Sequence, residues 1–240
     1  MAPILALQKI SKRFGAVVVA SDIDLSVAEG EALGIIGPNG AGKTTLFAMI
    51  AGTVPADAGR ITFAGHDITN LTPERRCRDG IARSFQIPQP FGGMTVFENL
   101  VVAAAFGGRR RERDAYPRCV EILGQCGLID KANRPAGSLT LIDRKRLELA
   151  RALATNPRLV LLDEVAGGLV EHECAELVAL IKTLRATGLS IIWIEHVVHA
   201  LLSIADRLFV INFGQRLAEG EPRAVMADAQ VRRVYMGMEA

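Results

Sequence analysis

The 240-residue chain lacks several features that define whole classes of protein. It has 4 cysteines, Cys77, Cys119, Cys126 and Cys174, scattered and with no C-x-x-C. Such spacing predicts neither a disulfide framework nor a zinc site, and reduced cytosolic thiols are the plain reading. Long apolar runs are missing too. Among the longest is Leu100-Val-Val-Ala-Ala-Ala-Phe106, far short of the roughly 20 residues that cross a bilayer. No excess of one charge exists: 28 Lys plus Arg stand against 26 Asp plus Glu, a net +2. That balance argues against a main role in wrapping nucleic acid. The opening MAPILALQKISKRF lacks the charged start, apolar core and cleavage site of a secretory leader. Internal repeats and low-complexity tracts are absent as well. What is present, 50% hydrophobic and 22% charged residues, is ordinary for a globular chain and too apolar for disorder.

The pattern along the chain changes character three times. Residues 4–28 hold three short β-rich runs separated by turn-like pieces, which predicts an antiparallel sheet. Residues 32–36, Ala-Leu-Gly-Ile-Ile, form a continuous apolar run, as expected of a strand buried on both faces. A Gly-rich turn follows, then a predicted helix over 43–51 and a strand over 59–64. Thr72-Pro73 reads as an N-cap with proline at the first helical position. Residues 88–156 read as helical, with a capping box at Thr95 and Glu98. Beyond them strands over 159–162, 190–194 and 207–212 alternate with helices over 171–186 and 197–205. Alternation of that kind implies a parallel sheet covered by helices. The cluster Arg109-Arg110-Arg111-Glu112-Arg113 reads as a solvated loop.

One motif carries specific chemistry. Gly37-Pro38-Asn39-Gly40-Ala41-Gly42-Lys43-Thr44 matches G-x-x-x-x-G-K-[ST] directly after a strand and before a helix. Glycines let backbone N–H groups close around phosphate oxygens, and the helix N-terminus adds the positive end of its dipole. Lys43 is placed to bridge β- and γ-phosphates, with the Thr44 hydroxyl on Mg²⁺. Arg158-Leu-Val-Leu-Leu-Asp163-Glu164 supplies the complementary half. An apolar strand ending in Asp puts a carboxylate beside the phosphate loop. Asp163 is then expected to hold Mg²⁺ through water, and Glu164 to orient and deprotonate the attacking water.

Lys43 and Asp163 lie 120 residues apart (163 − 43), with the helical stretch between them. In this organisation the chain resembles the ATP-binding subunits of ABC transporters over almost its whole length. The resemblance implies a P-loop NTPase (RecA-like) parallel-sheet core with an antiparallel β subdomain, formed by 1–87 and 157–240, and an inserted α-helical subdomain at 88–156. It also implies ATP and Mg²⁺ as ligands. Two such subunits, either two copies of one chain or, as the resemblance favours, two different ones, sandwich two ATPs, each site joining one phosphate loop to the partner's signature helix. The helical insertion docks on a transmembrane permease, an external solute-binding protein acts indirectly, and nucleic acid has no part. A single ATPase domain near neutrality fits less well with a soluble relative acting on nucleic acid or ribosomes, and a small-molecule kinase would leave Gln86 and His196 unexplained. By the same resemblance the protein sits at the cytoplasmic face of the inner membrane, held there by its partners.

Further positions follow from the family pattern. The phosphate site extends to Thr45. Phe14 matches the aromatic that stacks on adenine. Gln86, in Ala82-Arg-Ser-Phe-Gln86, matches the residue contacting Mg²⁺ and the attacking water, and His196 the switch histidine that reaches the γ-phosphate. His66, His172 and His199 receive structural readings. Two segments depart from the pattern. The signature reads Leu139-Thr140-Leu141-Ile142-Asp143, so Thr140 keeps a hydroxyl that could reach the nucleotide and can still cap a helix with Asp143. Ile142 replaces a glycine, and Asp143 puts a negative charge where it is expected to repel a γ-phosphate. Val170 stands where the family has Asp or Asn. Together these predict an asymmetric dimer in which one composite site works poorly. The segment from Gly80 to Leu100 and the C-terminal part from Ile194 look like the branched-chain amino-acid uptake branch, with urea, short-amide and carboxylate cargo left open.

Overall fold

The computed structural model describes residues 2–108 and 111–236. Its first two strands, β1 (Leu5–Phe14) and β2 (Val17–Val27), form a long antiparallel hairpin. Ser21-Asp22, which reads as a break in the sequence, is instead an irregularity inside β2. Asp22 takes a left-handed backbone (φ 49°), and its N–H donates to the Ser11 hydroxyl at 2.9 Å. The three expected runs are therefore two bulged strands, since a side-chain hydrogen bond bridges the gap in the ladder. β3 (Ala32–Ile36) leads into α1 (Lys43–Ala51), followed by β4 (Ala58–Phe63), β5 (His66–Asp67), α2 (Pro73–Asp79) and β6 (Ile81–Arg83). The helical stretch holds α3 (Val96–Phe106), α4 (Glu112–Gln125) and α5 (Leu141–Ala154). Then come β7 (Leu159–Asp163), α6 (Glu171–Arg185), β8 (Ser190–Ile194), α7 (Val198–Leu202), β9 (Arg207–Asn212), β10 (Gln215–Gly220), α8 (Pro222–Ala227) and α9 (Ala229–Met236).

The strands make two sheets. An antiparallel one runs β2-β1-β4-β5, and a six-stranded one runs β10-β9-β3-β8-β7-β6. All neighbours in the second are parallel except β9 and β10. The expected parallel core and antiparallel β subdomain are both present. The small pieces β6, β10, α8 and α9 were not legible in the sequence. β10 follows a tight turn in which Phe213 has φ 47° and Gly214 φ 72°, a conformation usually signalled by Asn-Gly or Asp-Gly.

Residues of the central strands alternate strictly between two buried clusters. Val160, Leu162, Ile191, Trp193, Leu208 and Val210 face α3–α7, while Leu159, Leu161, Ile192, Ile194, Phe209 and Ile211 face α1 and the antiparallel sheet. Both faces are covered, which explains the unbroken apolar strands. α1 is buried through Leu46, Phe47, Met49 and Ile50 because it lies between the two sheets. On the other face α3 and α4 pack through Phe97 and Tyr116, whose rings meet edge-to-face at 5.3 Å. Helix starts follow the sequence closely. Thr95 and Glu98 exchange both bonds of a capping box, at 3.1 and 2.7 Å. The expected loop at the basic cluster is solvated but partly helical: Arg111 is the N-cap of α4, and Glu112 and Arg113 form its exposed first turn, while Arg109 and Arg110 lie outside the described residues. None of the described helices is long and apolar enough to cross a membrane.

The C-terminal end of α1 is held by a buried cation. Arg76, 2% exposed, donates to the carbonyls of Met49 and Ile50 at 2.5 and 2.9 Å, and to those of Leu71 and Thr69. A cation at a helix C-terminus also complements the helix dipole. Replacing Arg76 by Ala strands several buried carbonyls and is expected to destabilise the fold by about 2–4 kcal/mol, measured by urea unfolding.

Candidate nucleotide site

The loop after β3 cannot be built from ordinary residues. Gly42 has φ 106°, and a Cβ there would sit 2.2 Å from the Val19 carbonyl oxygen of β2. The close approach of the hairpin to this loop therefore requires glycine. Gly42 is also the N-cap of α1 and offers no side-chain acceptor to the helix's first N–H groups, which leaves them for an anion. Lys43 folds back inside the loop, its Nζ donating to the Gly37 and Pro38 carbonyls at 2.7 and 2.9 Å. An open cavity of about 250 Å³ lies over this turn, lined by Asn39, Gly40, Ala41, Gly42, Lys43, Thr44 and Thr45 with Val19 and Glu164.

Two polar side chains expected from the sequence, Gln86 and His196, converge on the carboxylate of a third, Glu164. Glu164 follows directly on β7 with a left-handed backbone (φ 47°), and its N–H donates to the Ile194 carbonyl at 2.8 Å. Such a conformation is uncommon outside glycine and is held here by the neighbouring strand. The Gln86 Nε2 donates to Glu164 Oε2 at 2.6 Å, and His196 Nε2 lies 2.7 Å from Glu164 Oε1. Residues 86, 164 and 196 follow the ends of β6, β7 and β8, neighbouring strands whose ends share one edge. Asp163 ends β7 and is 4% exposed, and Arg83 donates to it from β6 at 2.7 Å. The Arg83 guanidinium also lies 5.3 Å from the Phe85 ring centroid.

Arg83 went unassigned in the sequence, although it sits within the quoted Ala82-Arg-Ser-Phe-Gln86 stretch. Nothing local signals its partner, because Asp163 is 80 residues away. Lys145 was missed for the same reason. It is a buried lysine on α5 that donates to the Gln86 carbonyl at 3.4 Å. Phe14 ends β1 opposite Val17, half exposed, with the Lys12 ammonium 5.3 Å from its ring centroid.

Thr140 is not brought to this cavity. It caps α5, accepting from the Asp143 N–H, and its hydroxyl donates to Asp143 Oδ2 at 2.9 Å. Asp143 differs from expectation. Its carboxylate is 4% exposed and paired with Lys131 at 2.5 Å, so its charge is neutralised internally instead of being presented to a phosphate. Val170 caps α6 without a side-chain acceptor, and only Glu173 reaches back, accepting from the Val170 N–H at 3.1 Å.

Comparison with known proteins agrees with this fold. The family model described as ABC transporter matches residues 20–167. The chain is 37% identical over 250 residues to the high-affinity branched-chain amino acid transport ATP-binding protein LivG of Salmonella typhimurium, covering 98% of each chain. It is 36% identical over 252 residues to the corresponding BraF protein of Pseudomonas aeruginosa, again covering 98% of each. Among solved structures, a nucleotide-free ATP-binding cassette from an ABC transporter superposes with TM-score 0.90 at 33% identity, covering 98% of this chain and 100% of that one. A cassette in its ADP conformation gives 0.91 at 34%, covering 99% and 100%. The fold and site define a P-loop ATPase of the ATP-binding cassette kind. The chain belongs to the ABC transporter family, as an ATP-binding, ATP-hydrolysing subunit.

Burial pulls the Lys43 ammonium below the ordinary lysine range, and the negative charges of Glu164 and Asp163 oppose that shift. Bound phosphates add further negative charge and raise it again. Between the two values, nucleotide binding must take up a proton. Calorimetry in buffers of different ionisation heat is therefore expected to register proton uptake at alkaline pH, with affinity falling as pH rises. Binding with no proton uptake would assign the lysine a different environment.

Proposed function

We propose that Glu164, held between Gln86 and His196 beside the phosphate loop, is the group that orients and deprotonates the water attacking the γ-phosphate of ATP. This two-sided contact is the observation that carries the reading. A base for this step must have its geometry set before substrate arrives. Glu164 meets that need, because its backbone is tied to β8 and both of its oxygens are engaged. His196 is positioned to reach the γ-phosphate once nucleotide fills the cavity. Gly37, Pro38, Asn39, Gly40, Ala41, Gly42, Lys43, Thr44 and Thr45 bind the phosphates, and the exposed face of Phe14 stacks on adenine. The Thr44 hydroxyl, the Gln86 amide and the Asp163 carboxylate are hard oxygen donors, the set that suits Mg²⁺ carried in on nucleotide phosphates. Bound there, Mg²⁺ supplies charge neutralisation at the β- and γ-oxygens. Arg83 keeps the Asp163 carboxylate compensated meanwhile. Lys43→Ala is expected to abolish hydrolysis and strongly weaken nucleotide binding, read by phosphate release and by fluorescent-nucleotide titration. Unchanged turnover would remove the phosphate-loop assignment.

The subunit is proposed to power an importer of branched-chain amino acids. Its support is the similarity, over 98% of the chain, to proteins named for that transport. Phe85, Ile87 and Phe91 around Gln86 are exposed apolar residues, of the kind that suits contact with a permease segment. Their position ties docking to the same loop that carries Gln86. Such an assembly would hold the protein at the cytoplasmic face of the inner membrane, with an external solute-binding protein acting through the permease and no nucleic acid involved. A second ATPase subunit, homologous but not identical, completes each nucleotide sandwich.

The signature end supports asymmetry in that pair. The Thr140 hydroxyl is already engaged by Asp143, and Ile142 packs against the core, so this segment offers a γ-phosphate little. Glu164→Gln in this chain and the equivalent change in the partner are therefore expected to reduce transporter ATPase unequally. Equal losses would sink the asymmetry.

A further inference from the structure

Glu195 is the most deeply buried acid of the site. Directly after β8 and directly before His196, it is 1% exposed. Its Oε2 accepts the Ala166 N–H at 3.0 Å, and its Oε1 accepts the N–H groups of His196 and Val197 at 2.9 and 3.3 Å. Ala166 lies two residues beyond Glu164, in the turn after β7. The three donors therefore come from the two backbone segments that carry the two ends of the Glu164–His196 contact. Lys145, a buried lysine of α5 that donates to the Gln86 carbonyl, lies in the same region: burial lowers its basicity, and the negative charges of Glu195 and Glu164 oppose that shift.

From this arrangement we propose that Glu195 is a positioning residue that clamps the segment bearing Glu164 to the segment bearing His196. The inference rests on reading Glu164 and His196 as the hydrolytic pair. The chemistry of the side chain explains why glutamate is needed. Both oxygens must accept, one toward each segment. Glutamine has one accepting oxygen and one donating NH₂. Whichever way its amide is turned, a donor faces a donor at Ala166 or at His196 and Val197, and a buried N–H loses its partner. Aspartate keeps both accepting oxygens but is one methylene shorter, so it cannot reach both segments. Charge alone is therefore not enough.

The clamp predicts a pattern that a purely structural role does not. Because the phosphate loop is untouched, Glu195→Gln in the full-length chain is expected to leave fluorescent-ATP affinity within about twofold while lowering kcat by about 10- to 100-fold, the scale expected when a catalytic group is slightly misplaced. Since the effect runs through His196, the same change in a His196→Ala background should cost less than about threefold, a strongly non-additive pair. Amide hydrogen exchange should show protection lost at Ala166, or at His196 and Val197, with α1 and the central strands unchanged. Glu195→Asp tests the span without removing the charge and serves if the amide variant fails to fold. Its turnover should stay low. Unchanged kcat in Glu195→Gln, a full additive loss in the His196→Ala background, or turnover restored by aspartate would each overturn the clamp. If His196→Ala alone leaves turnover intact, the hydrolytic reading itself falls, an outcome distinct from failure of the clamp.

Discussion

Four strands that run the same way in one sheet, β3, β6, β7 and β8, set the position of nearly every polar group in the nucleotide site. Both faces of that sheet are buried, so successive residues along each strand are apolar and chemistry is left to the strand ends. The phosphate loop leaves β3, Gln86 follows β6, Asp163 and Glu164 close β7, and Glu195 and His196 leave β8. Parallel direction brings these ends to one edge. The antiparallel hairpin then presses Val19 against Gly42, so the β-rich layer shapes the phosphate loop from the other side.

The site is a set of charges whose compensation is already in place. Lys43 rests on loop carbonyls, Asp163 on Arg83, and Glu164 on Gln86 and His196. Buried charges are costly unless paired and hydrogen-bonded. On the proposed reading, each pairing also orients a group that a nucleotide would use. The phosphates of ATP can replace the carbonyl contacts of Lys43 with stronger, charge-assisted ones. Preorganisation of this sort is how a fold lowers a barrier without rearranging at the moment of reaction.

The signature end follows the opposite logic. Thr140 and Asp143 satisfy each other, and Lys131 neutralises the acid. Such a terminus is stable by itself and has little left to offer a partner's nucleotide. Its sequence alone suggests an exposed repulsive charge at position 143. The correction comes from Lys131, 12 residues earlier and brought in by the packing of α5.

Local physics made much of this protein legible from its residues. Apolar runs gave the buried strands, the Thr95–Glu98 and Thr72-Pro73 pairs gave helix starts, and the glycine spacing from Gly37 to Thr44 gave the phosphate loop with its helix over Lys43–Ala51. These features depend on neighbours within a few residues, so the chain by itself determined them. Short edge pieces such as β6 and β10 carried no such signal, because each is paired only along one side, against a strand of the buried sheet. The Arg83 partner of Asp163, the Lys131 partner of Asp143 and the Ala166 partner of Glu195 were equally hidden, since each lies on another segment of the chain. Only tertiary packing decided which charges meet, for hydrogen bonds act over about 3 Å and no sequence pattern measures distance across a sheet.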